Sequence, residues 1–220
     1  MMIEAIYPDW KVPPHIKAIQ TVKKTGDISG FIKKNDSNFT FLNQTHGVNI
    51  AELPNNSPLE ADASFTYAKQ TICAVRTADC LPILMTDISG SFVAAIHAGW
   101  RSLSNGIIEE TLKKLKTKTE FIVWLGPCIS QKNYEVGRDV YHQFIKMDPS
   151  VSCAFQKHYE KYKLSLVKAA KIKLTNLRIK NIFGNSFTQD FCTFDDQTNF
   201  FSYRRSNDSG RMVSLIWIED

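Results

Sequence analysis

Three short segments place a reactive side chain beside a turn: Asn43-Gln44-Thr45-His46-Gly47, Thr77-Ala78-Asp79-Cys80 and Ile96-His97-Ala98-Gly99-Trp100-Arg101. Two imidazoles and a thiolate suit a borderline-soft divalent ion, and three protein ligands with a fourth position open is the catalytic arrangement of zinc. His46, Cys80 and His97 stand 34 and 17 residues apart. That spacing matches no zinc finger, so any metal site here must be assembled by the fold. The same residues have other uses. Cys80 could attack a carbonyl with His97 as its base, as in a cysteine hydrolase. Each histidine could be a hydrogen-bonded structural residue, Cys80 a small core residue, and Gly47 and Gly99 suppliers of positive φ.

For these segments to meet, strands must carry them, because strand ends are rigid and the adjoining loops expose side chains to a pocket. Thr71 to Val75 and Pro82 to Met85 read as short buried strands connected through Thr77-Ala78-Asp79-Cys80. Ser91 to Ile96 predicts a third strand, ending at His97. After the Ala98-Gly99-Trp100-Arg101 turn, Ile108, Leu112 and Leu115 predict a helix capped by Ser104 or Asn105. Phe121 to Leu125 is a strand stopped by Gly126-Pro127. Val136, Val140 and Phe144 mark a second helix, and Leu166, Ala170, Leu174 and Leu177 a third. Two closing strands, Phe200 to Arg204 and Arg211 to Ile218, flank a turn at Ser206 to Gly210, and Leu53 to Pro58 is a loop. Strands and helices mix without a βαβ rhythm, which predicts an α+β protein with mixed β-sheets.

The 220 residues suit one domain spanning 1–220, with no linker or repeat to divide it. Apolar residues at 43% and charged residues at 22% exclude wholesale disorder. The longest apolar runs, Phe121 to Leu125 and Val213 to Ile218, fall far short of a membrane span, and the N-terminus has no secretory pattern. Five scattered cysteines without a CxxC pair read as reduced thiols, hence a cytoplasmic location. The lysines between Lys157 and Lys173 read as a solvated helix face, so no nucleic-acid partner is expected. The net charge of +5 suits an anionic small substrate such as phosphate.

Several runs together carry a family resemblance. They are Gln44-Thr45-His46-Gly47, Ala61-Asp62-Ala63, Thr77-Ala78-Asp79-Cys80-Leu81-Pro82-Ile83 and His97-Ala98-Gly99-Trp100-Arg101, followed by Gly126-Pro127-Cys128-Ile129, Tyr134-Glu135-Val136, Phe201-Ser202-Tyr203-Arg204-Arg205 and Gly210-Arg211-Met212. In this order, from about residue 40 to the C-terminus, they closely resemble the YfiH (laccase-domain) family. The resemblance implies a single layered α/β/β/α domain of the CNF1/YfiH-like kind. It implies a zinc-dependent purine nucleoside phosphorylase that also deaminates adenosine and cleaves methylthioadenosine, with His46, Cys80 and His97 as metal ligands and catalytic centre. Residues 1–40 are shortened relative to the family, and Lys23 stands where the family carries an arginine. A lysine cannot reproduce a bidentate arginine contact to phosphate.

Phosphorolysis requires an anion cradle, and arginines are the natural clamps. Arg101, four residues beyond His97, is the first candidate, with Arg76, Arg204, Arg205 and Lys23 behind it. Asp62, Asp79 and Gln44 are candidates for hydrogen-bonding the purine, and the aspartates also for orienting a ligand histidine. Purine nucleosides and phosphate are thus the expected small-molecule partners, to a monomer or homodimer. A copper-linked polyphenol oxidase is the other activity attached to the family. A multicopper centre needs far more histidines than the five here (His15, His46, His97, His142 and His158).

Overall fold

Where apolar runs are continuous, the chain forms strands covered on both faces; where alternation is cleaner, it forms strands between two different apolar layers. The computed structural model describes residues 3–25, 38–54, 59–117, 119–185, 191–207 and 210–220. Their strands are β1 (Ala5–Ile6), β2 (Ile16–Thr21), β3 (Asn38–Phe39), β4 (Ile50–Glu52), β5 (Ala63–Thr66), β6 (Thr71–Thr77) and β7 (Leu81–Asp87). Then follow β8 (Val93–Ala98), β9 (Phe121–Leu125), β10 (Glu135–Val136), β11 (Phe155–His158), β12 (Lys161–Leu164), β13 (Asn181–Gly184) and β14 (Met212–Ile218). The helices are α1 (Trp100–Ser104), α2 (Ile107–Lys114), α3 (Arg138–Met147), α4 (Leu166–Asn176) and α5 (Tyr203–Ser206).

Two mixed sheets dominate, in the orders β1-β2-β14-β6-β3 and β13-β9-β7-β8-β5-β4, and β10-β12-β11 makes a smaller third. The fold is therefore α+β with mixed sheets. Side-chain alternation builds two of the apolar layers. In β7 and β8, Leu81, Ile83, Met85, Ala94, Ile96 and Ala98 face a core shared with Leu103, Ile108, Val140, Phe144, Ala170 and Leu174 of the helices. Leu84, Val93 and Ala95 point the other way, against Cys73, Val75 and Ile216 of the five-stranded sheet. Each large aliphatic side chain buried this fully is worth about 1.5–3 kcal/mol against exposure. The outer face of the five-stranded sheet carries Ile72, Ala74, Leu215 and Trp217, a cluster made of strand residues alone.

Several expectations change in detail. The strand expected from Ser91 starts at Val93, because Asp87 Oδ1 and Oδ2 accept from Ser91 N and Oγ at 2.8 and 2.6 Å and hold it in the turn. Trp100 and Arg101 open a helix rather than forming a turn. Neither Ser104 nor Asn105 caps the helix that follows; Gly106, at φ 92°, does. Val136 lies in β10, before its helix begins. The expected strand from Phe200 to Arg204 is instead a helical turn, α5, whose N-cap Ser202 accepts from Arg205 N at 3.2 Å. Lysines 157 to 173 are shared between the β11–β12 hairpin and α4, and Lys173 is 4% exposed against Glu109 at 2.7 Å. Parts of three expected segments, residues 26–29, 55–58 and 208–209, lie outside the described residues.

Candidate metal centre and its cleft

The C-terminal ends of β6 and β8 and the start of β7 emerge on the same side of the sandwich. β8 runs antiparallel to β7 with His97 opposite Pro82, and Cys80 immediately precedes β7. The loop before β4 joins them through Asp62, which is fully buried. Its Oδ1 accepts from His46 N at 2.9 Å and lies 2.7 Å from His97 Nδ1. Its Oδ2 accepts from Gly47 N at 2.6 Å and Thr45 N at 3.2 Å. Burial alone would raise the Asp62 pKa. The hydrogen bond and charge of His97 and the N–H groups of Gly47 and His46 outweigh it and hold the carboxyl below its usual range. One buried carboxylate thus folds the His46 loop and fixes the His97 ring, leaving Nε2 to face the cleft.

That arrangement brings three donors together. Cys80 Sγ is 4.0 Å from His46 Nε2, the two imidazole rings are 4.7 Å apart at 74°, and the ligand atoms of His46, Cys80 and His97 all lie within 4.8 Å. Zinc bonds of about 2.0–2.3 Å in a tetrahedron put donors roughly 3.4–3.6 Å apart, so a contraction of at most roughly 1.4 Å closes the set. Gly99 leaves the room: a Cβ there would meet Cys80 Sγ at 3.0 Å and His46 Cδ2 at 3.1 Å. Neither Gly99 nor Gly47 has a positive φ; that conformation falls on His46 (61°) and Asp79 (91°), side chains held in a sparsely populated region beside the cluster. Among the described residues this is the one such group of metal-capable side chains.

Its electrostatics suit a cation. Burial pushes the Cys80 thiol upward, but the charge of His97 and hydrogen bonds from both histidines bring it down to about 6. Burial pulls His97 downward, while the Cys80 charge and the Asp62 hydrogen bond raise it to about 9. The donors, the carboxylate behind His97 and the space at Gly99 all fit a divalent metal.

The cluster lines a cleft of about 660 Å³, within the range of small-molecule sites. Four arginines line it, each over an aromatic ring: Arg76 on Phe41 (4.8 Å), Arg101 on Trp100 (4.4 Å), Arg204 on Tyr134 (5.2 Å) and Arg211 on Tyr203 (5.9 Å). Burial and then the Cys80 charge raise the Tyr134 pKa, while Arg204 and Arg101 oppose them, so both guanidiniums lie within electrostatic reach of that phenol.

The other candidates divide. Gln44 lines the cleft, but its amide is engaged reciprocally with the Arg76 backbone, N to Oε1 and Nε2 to O, both at 2.8 Å. Asp79 also lines it, yet its carboxylate accepts from Thr193 Oγ1 and Arg204 N, both at 2.7 Å, tying the Cys80 turn to α5. Arg205 lies outside the cleft lining, donating to the carbonyls of Thr193, Phe194 and Phe200. Lys23 is outside as well, its Nζ donating to Gln197 O at 2.8 Å over the Phe201 ring. Trp100, Tyr134, Tyr203 and Arg211 join the lining without having been singled out from sequence, although each falls within a motif of the family resemblance.

The family described as multi-copper polyphenol oxidoreductase laccase matches residues 21–219, and the chain belongs to it. A Haemophilus influenzae protein named purine nucleoside phosphorylase is 39% identical over 99% of this chain and 100% of its own length. The Escherichia coli purine nucleoside phosphorylase YfiH is 41% identical over 81% of this chain and 73% of its own. Among solved structures, Neisseria meningitidis protein NMB0706 superposes with a TM-score of 0.89 at 30% identity, covering 99% of this chain and all of that one.

Proposed function

We propose that this chain is a zinc-dependent purine nucleoside phosphorylase, acting on adenosine, inosine, guanosine and methylthioadenosine, with deamination of adenosine as a side activity. The observation that carries the reading is the placement of a three-donor cluster in a cleft lined by four arginines. The names of relatives at 39% and 41% identity support it. His46, Cys80 and His97 would hold the metal, which when bound would supply Lewis acidity in the cleft. Asp62 fixes the His97 ring. Arg101 and Arg204, both in the cleft lining and both within electrostatic reach of Tyr134, clamp the reacting phosphate. A phosphate oxygen forms the bond to the sugar's anomeric carbon as the bond to the purine nitrogen breaks. The electron pair leaves on the purine, which takes up a proton. Five cysteines without a disulfide, and the lack of any helix long and apolar enough to cross a membrane among the described residues, support a cytoplasmic enzyme.

The test is product analysis with adenosine and inosine, with and without phosphate, for the wild type, Cys80→Ala and Arg101→Gln. Free base formed only with phosphate, and lost in both variants, is the expected result. Inosine formed from adenosine without phosphate would make deamination the principal activity. No free base from zinc-loaded wild type would overturn the reading. The lowered Cys80 pKa favours one other use, as a hydrolytic nucleophile in the metal-free protein. That use predicts an alkylation-sensitive activity that zinc suppresses.

A further inference from the structure

Phosphorolysis joins an anion to a neutral nucleoside, and the two make different demands on the cleft. The phosphate arrives charged. The purine gathers negative charge only as its bond to the sugar breaks, and an uncharged donor with a free hydrogen is what stabilises it. Neither the metal ligands nor the arginines that clamp the phosphate offer it one. Most of the polar lining is committed as well. The Gln44 amide is spent on the Arg76 backbone, and the Asp79 carboxylate accepts from Thr193 Oγ1 and Arg204 N.

Tyr134 is different. It lines the cleft at 7% exposure, and its hydroxyl makes no hydrogen bond among the described residues. The backbone holds it in place: Tyr134 N donates to Gln131 O at 3.3 Å and Tyr134 O accepts from Leu164 N at 3.0 Å. Nor is the hydroxyl one of the polar atoms sealed away without a partner, which among the described residues are Ser64 Oγ, Thr77 Oγ1 and Glu109 Oε2. It therefore opens on the cleft. A buried phenol ordinarily finds a partner for its O–H, so one left open beside reacting groups is satisfied by what the cleft binds. Trp100 and Tyr203 also line the cleft, but both are more exposed, where water serves their donors. Two anions, Cys80 and Asp79, and two cations, Arg204 and Arg101, act on the Tyr134 phenol. So balanced a field favours a neutral heterocycle over a phosphate dianion.

We propose that Tyr134 is a catalytic residue, its hydroxyl donating a hydrogen bond to a ring nitrogen of the departing purine, a role that rests on the phosphorylase reading. A phosphate oxygen bonds to the anomeric carbon as the bond to the purine nitrogen breaks. The electron pair left on the purine is stabilised by the Tyr134 O–H, which keeps its proton. The proton that neutralises the purine is the one the attacking hydrogen phosphate brought, given up as the sugar phosphate becomes a dianion. A phenol suits a donor that is not a proton source, since its ordinary pKa is about 10 and burial here raises it.

The experiment measures kcat of the zinc-loaded wild type and Tyr134→Phe with inosine and with two nucleosides whose bases depart more readily. These are 6-chloropurine riboside and 7-methylinosine, whose base already carries a positive charge and leaves neutral. Phenylalanine keeps the ring under Arg204 and removes only the hydroxyl. With inosine the variant is about 100-fold slower, the loss expected for one donor to a developing charge. The loss shrinks in the order inosine, 6-chloropurine riboside, 7-methylinosine. The KM for phosphate, the zinc affinity and the melting temperature stay those of the wild type, because the hydroxyl has no partner in the fold to lose. Equal losses on every substrate, or none, overturn the assignment and leave the phosphorylase reading standing. A loss confined to the KM for phosphate puts the hydroxyl on the other reactant and overturns it too, and a lowered melting temperature makes the residue structural. A wild type that releases no base from any of the three overturns the phosphorylase reading and the role of Tyr134 with it.

Discussion

Replacing Asp62 with asparagine keeps the side chain's size and removes one of its two accepting oxygens. In the wild type, Oδ1 faces His46 N and His97 Nδ1, and Oδ2 faces the N–H groups of Thr45 and Gly47. Whichever way the amide turns, its NH₂ confronts at least two donors. Hydrogen bonds to a charged partner are worth about 1.5–3 kcal/mol each. After relaxation of the exposed His46 loop, a net cost of about 3 kcal/mol is expected. In a chain of this length that lowers the melting temperature by roughly 6–12 °C. The same change frees the His97 ring and unseats the His46 loop, so metal affinity falls by about 10–100-fold, the range for a lost partner of a ligating histidine. Thermal denaturation and competition against a chromophoric chelator read the two effects separately. The Asp62 carboxyl titrates below its ordinary value, so its contribution is fully present above about pH 4 and is lost as pH falls through the lowered value. The gap in stability between wild type and variant is therefore constant from pH 5 to 7 and narrows in acid. Metal affinity within twofold of the wild type, with an unchanged melting temperature, would refute the role assigned to Asp62.

Other perturbations probe the surrounding structure. Gly99→Ala inserts a methyl group 3.0 Å from Cys80 Sγ and 3.1 Å from His46 Cδ2. It should weaken metal binding by about tenfold or more while the metal-free protein melts within a few degrees of the wild type. In metal-free protein, iodoacetamide should modify Cys80 with a midpoint near pH 6, and zinc should protect it; a midpoint near 8.5, the value of an ordinary thiol, would contradict the electrostatics drawn here. Between about pH 6 and pH 9 the Cys80–His97 pair holds one proton, so zinc binding in that window should expel it, measurable as the buffer dependence of the binding enthalpy. Lys173→Met leaves the Glu109 carboxylate, whose Oε2 already has no partner, without its cation, and should cost about 3 kcal/mol in chemical denaturation.

The parts of this site legible in the sequence are those where chemistry and local pattern coincide. His46, Cys80 and His97 are reactive residue types beside strand signals; the β7–β8 pairing brings Cys80 and His97 together, and Asp62 holds the His46 loop against them. Continuous apolar runs made the central strands readable, Phe121 to Leu125 to the residue. What stayed hidden depends on tertiary contacts. Phe200 to Arg204 has the composition of a strand, but the Ser202 cap and the Asp79 carboxylate, which accepts from Arg204 N, turn the chain into α5. Arg204 and Arg205 are neighbours in sequence and both were candidates. Only the fold separates one in the cleft from one donating to backbone carbonyls. Arg211 gave no signal of its own, because nothing local says that the end of β14 adjoins Arg76.

The family's description names an oxidoreductase, and the side chains allow that activity to be weighed on its own terms. A multicopper centre needs several groups of histidines close together. Two of the five rings here belong to the one cluster found among the described residues. Elsewhere, His15 lies 3.3 Å from Gly90 O, His158 pairs with Glu135 at 3.0 Å, and His142 packs on Tyr141. None of these stands beside the cluster. The cleft around the cluster is furnished instead with guanidiniums placed over aromatic rings, three of them without a carboxylate partner among the described residues. Transfer of electrons to or from a neutral phenol gives no reason to gather such charge, and each unpaired arginine kept there works against folding by repelling its neighbours. Holding the phosphate that the proposed phosphorolysis requires does give a reason. The same residues then supply the substrate's charge partner and its orientation.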